Sequence, residues 1–132
     1  MPTRSQVVPS RPASFVEARR FVRETAARAA PKQVLDDAML LTSELVTNAV
    51  RHTGHSEDDP IQLTVFVDTD VLRVSVRDRG PGFDPTELAV RSEDGGLGLD
   101  LVRRLASRWG VSRVDDGTDV WFEIHLSDPT GS

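Results

Sequence analysis

The order of the hydrophobic patterns along the chain constrains its fold more than any other feature. Apolar residues recur at helical spacing over residues 14–30, with Ser14 as the N-cap, and again over 34–50 beyond Pro31. Strict alternation follows at 61–67 and 72–78, a third helical pattern opens near Leu97 and runs to about residue 107, and strand-like runs occupy 109–114 and 118–126. This order predicts an α+β two-layer sandwich, with helices packed on one face of a mostly antiparallel mixed sheet. A doubly wound parallel sheet is disfavoured because strands and helices do not alternate.

The length of 132 residues fits one compact domain. Residues 1–12 contain three prolines, and the last six residues, "SDPTGS", are small and polar. We therefore predict a flexible N-terminus at 1–12, in which residues 6–8 could form an edge strand. A single domain at 13–126 and a flexible tail at 127–132 complete the predicted organisation.

Composition excludes several classes of function. Without cysteine, the chain cannot form disulfides, thiolate metal sites or a cysteine nucleophile. The net charge of -5 argues against direct binding to a nucleic-acid backbone, which depends on clustered Lys and Arg. Apolar runs fall far short of the roughly 20 residues that span a bilayer, and the first residues lack the apolar segment of a signal peptide. We expect a soluble cytoplasmic protein that does not bind membranes.

The stretch "ELVTNAVRH" places three polar residues one helical turn apart: Glu44, Asn48 and His52. Carboxylate and amide oxygens at this spacing suit Mg²⁺, with Asn48 as the natural direct ligand and Glu44 as the natural proton acceptor. The alternative is that both residues lie on the solvent-facing side of an ordinary helix, since short motifs give many false positives. His52, near the predicted helix end, is more typical of a solvent-facing histidine.

Two polar residues on strands share the parity of the apolar residues around them. Alternation places Asp78 on the helix-facing side at the point where its strand stops, and it places Thr118 in the same inner layer. A buried carboxylate needs a hydrogen-bond donor, such as the exocyclic amine of adenine. The alternatives are that Asp78 caps the turn formed with Gly80 and Gly82, and that Thr118 is an ordinary β-branched strand residue.

The glycine-rich stretch "GGLGL", residues 95–99, precedes the third predicted helix. Backbone amides in such a segment can point together, and a helix N-terminus adds partial positive charge, so phosphates can be held without a lysine. The stretch differs from the phosphate loop that ends in Gly-Lys-Ser and from the dinucleotide-binding fingerprint. A flexible glycine hinge is the alternative interpretation.

Four motifs occur in one order over residues 44–124: "ELVTNAVRH", "DRGPGF", "GGLGLDLV" and "GTDVWFEI". Together they resemble the N box, first Gly box, second Gly box and final Thr motif of the GHKL ATP-binding superfamily, which includes gyrase, heat-shock chaperones, histidine kinases and MutL. This resemblance implies the Bergerat fold. Among the branches of the superfamily, the chain is most similar to the bacterial anti-sigma factor serine/threonine kinases.

The resemblance implies a role for each matched position. Asn48 would bind Mg²⁺ that bridges the phosphates of ATP, Glu44 would act as the general base, Asp78 would bind the adenine amino group, and Thr118 would support it through water. The glycine-rich segments would shape the pocket around the base and the phosphates: Gly80, Gly82, Gly95, Gly96, Leu97, Gly98 and Leu99.

The implied activity is transfer of the γ-phosphoryl group of ATP to a serine or threonine of an anti-sigma-factor antagonist, combined with sequestration of a sigma factor. The resemblance also leaves room for a homodimer. A second hypothesis is a non-catalytic, nucleotide-gated module that binds transcription or signalling partners. It is favoured by the lid segment 83–94, in which Arg91 is the only basic residue.

Overall fold

The computed structural model describes residues 3–53, 60–78, 99–114 and 117–126. Three helices and five strands lie within these ranges. In chain order they are β1 (Thr3–Val8), α1 (Ser14–Ala26), α2 (Lys32–Thr53), β2 (Ile61–Val67), β3 (Val71–Asp78), α3 (Leu99–Leu105), β4 (Arg108–Val114) and β5 (Gly117–His125). The predicted order of helices and strands is confirmed, and β1 extends the edge strand expected at 6–8 toward the N-terminus.

The strands form one sheet in the order β1-β2-β3-β5-β4. Each neighbouring pair in this order is antiparallel. The last two strands form a hairpin in which Val114 pairs with Gly117, and β5 then lies between β3 and β4. Residues far apart in sequence are therefore brought together at the β3–β5 pair.

The helices cover one face of the sheet. α1 contacts α2, β1 and β2, while α2 also contacts β2, β3 and β5, and α3 contacts α2 and β4. Alternate residues of β2, β3 and β5 are buried beneath the helices, as the period-two pattern predicts. The largest fully buried side chains include Phe122, Leu41, Ile61, Leu63 and Leu72.

The start of α1 differs from the sequence expectation. Ser14 is the first residue of the helix and not its N-cap, and Ala13 occupies the cap position without a side-chain hydrogen bond. The buried Ser14 hydroxyl instead donates a hydrogen bond to the Pro9 carbonyl oxygen, close to the end of β1. The prediction of a Ser14 cap is therefore wrong, because this hydroxyl bonds to a carbonyl oxygen in the preceding loop and not to a backbone N–H of the helix.

A charged cluster surrounds Trp121 on the face of the sheet opposite the helices. The guanidinium carbon of Arg73 lies 4.1 Å from the centroid of the Trp121 ring. Arg73 Nη1 donates to Glu123 Oε2 at 3.2 Å, and Arg108 Nη1 lies 3.7 Å from Glu123 Oε1. The indole also lies against Gly110 on β4, where an added Cβ atom would come within 2.8 Å of Trp121 Cζ2. Gly110 thus gives the ring the space that it occupies.

Substitution of this glycine gives a first prediction. Gly110→Val is expected to lower the free energy of unfolding by about 1–3 kcal/mol, because the new side chain must displace the Trp121 ring. Urea unfolding followed by fluorescence measures the change. Ser112→Val, on an exposed position of the same strand, is the matched control. Equal unfolding midpoints for the two variants would contradict the packing argument.

No helix in the described ranges is both long enough and apolar enough to cross a membrane.

Candidate functional site

Two of the predicted site residues lie one turn apart in the C-terminal half of α2. This helix packs against β3 and β5. Asn48 is 4 % exposed, and Glu44 is half-buried. The solvent-facing alternative is therefore wrong for Asn48, which is buried. His52 also belongs to α2, but its side chain lies outside the described part of the chain.

Asp78 and Thr118 form a cross-strand pair between β3 and β5. Both side chains are buried beneath the helices, with 2 % exposure for Asp78 and none for Thr118. Directly opposite residues in an antiparallel pair have Cβ atoms about 4.5–5.5 Å apart. The inward orientation predicted from strand parity is thus confirmed for both residues, and the register places them side by side.

The Thr118 hydroxyl has no hydrogen-bond partner among the residues that the structure describes. A buried donor or acceptor left without a partner costs about 1–3 kcal/mol, so such atoms are uncommon in folded proteins. Thr118 stands directly opposite Asp78 in the register of the two strands. The Thr118 hydroxyl is therefore suited to a ligand that supplies it with a polar atom, at a position beside a buried acid.

The described residues include six buried polar side chains: Ser10, Ser14, Thr42, Asn48, Asp78 and Thr118. The Thr42 hydroxyl donates to the Ala38 carbonyl oxygen at 2.7 Å, which explains its burial locally in the same way as that of Ser14. Thr42 is not one of the predicted site residues, and its hydrogen bond within α2 gives it a structural role. Half of this buried polar set belongs to the predicted site and comes from α2, β3 and β5.

The third helix begins where the predicted phosphate-binding segment ends. α3 starts at Leu99, contacts α2 and β4, and buries Val102. The glycine-rich segments and the lid at 83–94 lie outside the described residues, so the structure does not place the following predicted site residues: Gly80, Gly82, Gly95, Gly96, Leu97 and Gly98. Leu99 is described as the first residue of α3, without its side chain.

The polar groups of the described site suit a Mg²⁺ ion that is also coordinated by water and phosphate oxygens, and do not suit a metal ion coordinated only by protein side chains. Across the described ranges, no group of three or more His, Cys, Asp or Glu side chains is placed to bind a metal ion. Mg²⁺ usually keeps several waters and is held by one or two oxygen ligands from the protein together with substrate phosphates. The Asn48 amide, with the Glu44 carboxylate one turn away, fits that mode of binding.

The neighbour of Thr118 on β5 points to the other face of the sheet. Burial raises the pKa of the Asp119 carboxyl above its ordinary value, although the positive charges of Arg73 and Arg77 lower it. Asp78 and Asp119 thus lie on opposite faces of the sheet. Asp78 is in the inner layer beneath the helices, and Asp119 is in the outer layer. The two carboxylates provide a matched pair for substitution experiments.

Comparisons with known proteins agree with this architecture. The family model described as "Histidine kinase-like ATPase domain" matches residues 8–124. The serine-protein kinase RsbW of Listeria monocytogenes (serotype 4a, strain HCC23) is 34 % identical over 55 % of this chain and 55 % of its own length. The anti-sigma F factor of Geobacillus kaustophilus (strain HTA426) is 28 % identical over 70 % of each chain. The chain thus spans little more than half the length of the Listeria protein.

A solved structure shows the same fold. The crystal structure of the RsbU and RsbW domains of Rv1364c from Mycobacterium tuberculosis matches with a TM-score of 0.73 and 22 % sequence identity. The match covers 98 % of this chain and 34 % of that one. The predicted superfamily is confirmed, because the family model covers most of the chain and the fold agrees. On this basis, the chain belongs to the histidine kinase-like ATPase domain family.

Proposed function

We propose that the protein binds ATP with Mg²⁺ and transfers the γ-phosphoryl group to a serine or threonine of an anti-sigma-factor antagonist, and that it also sequesters a sigma factor. The names of two relatives, a serine-protein kinase and an anti-sigma factor, support this function. Such partners are cytoplasmic, so the protein would act in the cytoplasm. A homodimer remains a prediction.

The proposal rests on the buried Thr118 hydroxyl, which stands opposite Asp78 and has no hydrogen-bond partner within the described ranges. The exocyclic amine of adenine can donate a hydrogen bond to the Asp78 carboxylate, and the Thr118 hydroxyl can bond to the base or to a bridging water. The Thr118 hydroxyl would then have a partner on the ligand.

The residues on α2 would act at the other end of the nucleotide. Asn48 would hold Mg²⁺, which when bound neutralises charge on the phosphates. Glu44 would orient the target hydroxyl and accept its proton as the hydroxyl oxygen bonds to the γ-phosphorus, while the bond from this phosphorus to the bridging oxygen breaks and ADP leaves. The glycine-rich segments would hold the base and the phosphates: Gly80, Gly82, Gly95, Gly96, Leu97, Gly98 and Leu99.

A second candidate function is a nucleotide-gated binding module that transfers nothing. The lid segment 83–94 contains no lysine and only Arg91 as a basic residue, so it supplies little charge to stabilise a transferring phosphoryl group. In this case nucleotide binding would change the affinity for a protein partner without turnover. The two candidates differ in whether phosphate leaves ATP.

A phosphotransfer assay tests the kinase proposal. The purified protein is incubated with Mg²⁺, γ-labelled ATP and a sigma-factor antagonist from the same genome, and the labelled residue is found by mass spectrometry. We expect the label on one serine or threonine of the antagonist. Normal ATP binding in calorimetry without any labelled antagonist would favour the binding module. Absence of ATP binding would exclude both candidates.

Thr118→Val separates a ligand-binding hydroxyl from a structural one. Valine has nearly the shape of threonine, so removal of the unpartnered hydroxyl is expected to leave the free energy of unfolding unchanged or to raise it by about 1 kcal/mol. ATP affinity is expected to fall about three- to tenfold, since the base loses one hydrogen bond. Thermal unfolding and titration calorimetry measure the two effects. Loss of stability with unchanged affinity would assign the hydroxyl a structural role.

A further inference from the structure

A groove on the surface between α1 and α2 lies outside the proposed nucleotide site. It has a volume of about 200 Å³ and is lined by Val16, Arg19, Arg20 and Arg23 of α1 and by Met39 of α2. The four α1 residues follow the spacing i, i+3, i+4 and i+7, so they form one stripe along the helix. None of the predicted nucleotide-site residues belongs to α1. The groove is therefore a separate surface feature.

The three arginines of the groove are exposed, and no ion pair joins any of them to an acid within the described residues. Arg19 and Arg23 are four residues apart on one helix, where like charges destabilise the helix by about 0.2–0.5 kcal/mol. In contrast, Arg73 and Arg108 on the sheet share the carboxylate of Glu123. The groove thus brings three arginines together on a chain whose net charge is -5.

The groove also has apolar walls. Val16, which is 49 % exposed, supplies the apolar wall on α1, and Met39 supplies the wall on α2. Small-molecule sites usually measure roughly 300–1,000 Å³, so this groove is too small for a cofactor and fits one or two side chains. Arginine beside exposed apolar side chains is typical of protein-binding surfaces. A protein segment with acidic residues and one apolar side chain matches both properties.

We propose that this groove docks an acidic segment of a protein partner, with an apolar side chain seated between Val16 and Met39 and carboxylates bound by Arg19, Arg20 and Arg23. A membrane surface fits less well. Polybasic segments that bind anionic lipids usually contain about 4–8 basic residues, and membrane-bound amphipathic helices insert an apolar face, whereas the apolar face of α1 is buried in the core. The proposal is independent of nucleotide binding and of phosphoryl transfer.

Fluorescence anisotropy with a labelled peptide tests the docking surface. The probe is a synthetic peptide of sequence GEEDLEEDG, measured against the full chain without nucleotide. Arg23→Glu is expected to weaken binding at least about threefold, and the double variant Arg19→Glu/Arg23→Glu at least about tenfold, through the loss of charge-assisted hydrogen bonds. Val16→Ser and a peptide with serine in place of leucine should each weaken binding as well. Higher salt should weaken the charged contacts.

The control is Arg28→Glu, which changes the net charge as Arg23→Glu does but lies outside the groove. It should bind the peptide like the unchanged protein, and circular dichroism should show that each variant is folded. Equal weakening by Arg23→Glu and Arg28→Glu would overturn the proposal, because it would indicate non-specific attraction. Absence of peptide binding would also overturn it, as would a preference for phosphatidylglycerol/phosphatidylcholine vesicles over the peptide.

Discussion

Glu44→Ala is expected to lower the rate of phosphoryl transfer to the antagonist by about 10²- to 10⁴-fold, which is the usual contribution of a general base. ATP affinity should change by less than about threefold, because the proposed role of this carboxylate is to contact the target hydroxyl and not the nucleotide. The reason lies in the geometry of α2, where Glu44 is half-buried one turn from Asn48. Single-turnover transfer of labelled phosphate and calorimetric titration of ATP measure the two quantities separately.

Two controls sharpen this experiment. Glu17→Ala removes an exposed carboxylate from α1 and should leave the transfer rate unchanged. Glu44→Gln keeps the shape of the side chain but cannot accept a proton as a carboxylate does, so it should lose nearly as much activity as Glu44→Ala. Full activity in Glu44→Gln would show that the carboxylate only positions other groups. Full activity in Glu44→Ala would remove Glu44 from the mechanism.

Asp78→Asn is expected to reduce ATP affinity about 10- to 100-fold, because a hydrogen bond to a charged acceptor contributes about 1.5–3 kcal/mol. The asparagine amide would also turn donor hydrogens toward the adenine amine, while the same hydrogens could bond to the carbonyl oxygen of guanine. Affinity for GTP should therefore fall less than affinity for ATP, or rise. The ratio of the two affinities, measured by calorimetry, is the diagnostic quantity.

The matched control for this substitution is Asp119→Asn. Asp119 lies beside Thr118 on β5, but its carboxyl belongs to the outer layer of the sheet near Arg73 and Arg77. The same chemical change at this position should leave the affinities for ATP and GTP unaltered. A thermal unfolding curve for each variant excludes loss of the folded state as the cause. If both variants lose affinity equally, the specific role proposed for Asp78 is wrong.

Much of the fold could be predicted because hydrophobic periodicity reports directly on burial. The stripes at 14–30 and 34–50 became α1 and α2, and alternation at 72–78 placed Asp78 on the buried face. The same parity argument placed Thr118 correctly. The capping role of Ser14 was wrong because a hydroxyl near a helix start has competing acceptors, and here the Pro9 carbonyl is the one it contacts.

Other properties of the site depend on pairing between distant parts of the chain. Periodicity does not reveal that β5 lies between β3 and β4, and this arrangement is what places Thr118 beside Asp78. Nor does the sequence show that the Thr118 hydroxyl has no partner in the described structure, because that depends on every atom packed around it. The groove between α1 and α2 was missed for a related reason, since it forms only where two exposed helix surfaces meet.

The pairing of Asp78 with Thr118 also links the proposed nucleotide site to the register of β3 and β5. A slip of β5 by one residue would turn Thr118 outward and bring Asp119 inward, leaving two acids side by side in the buried layer. Such a chain would bury two like charges close together, and the proposed adenine site would lose the Thr118 hydroxyl. The proposed nucleotide site and the correct assembly of the sheet therefore depend on one pair of strands, so we expect a misassembled molecule not to bind the nucleotide.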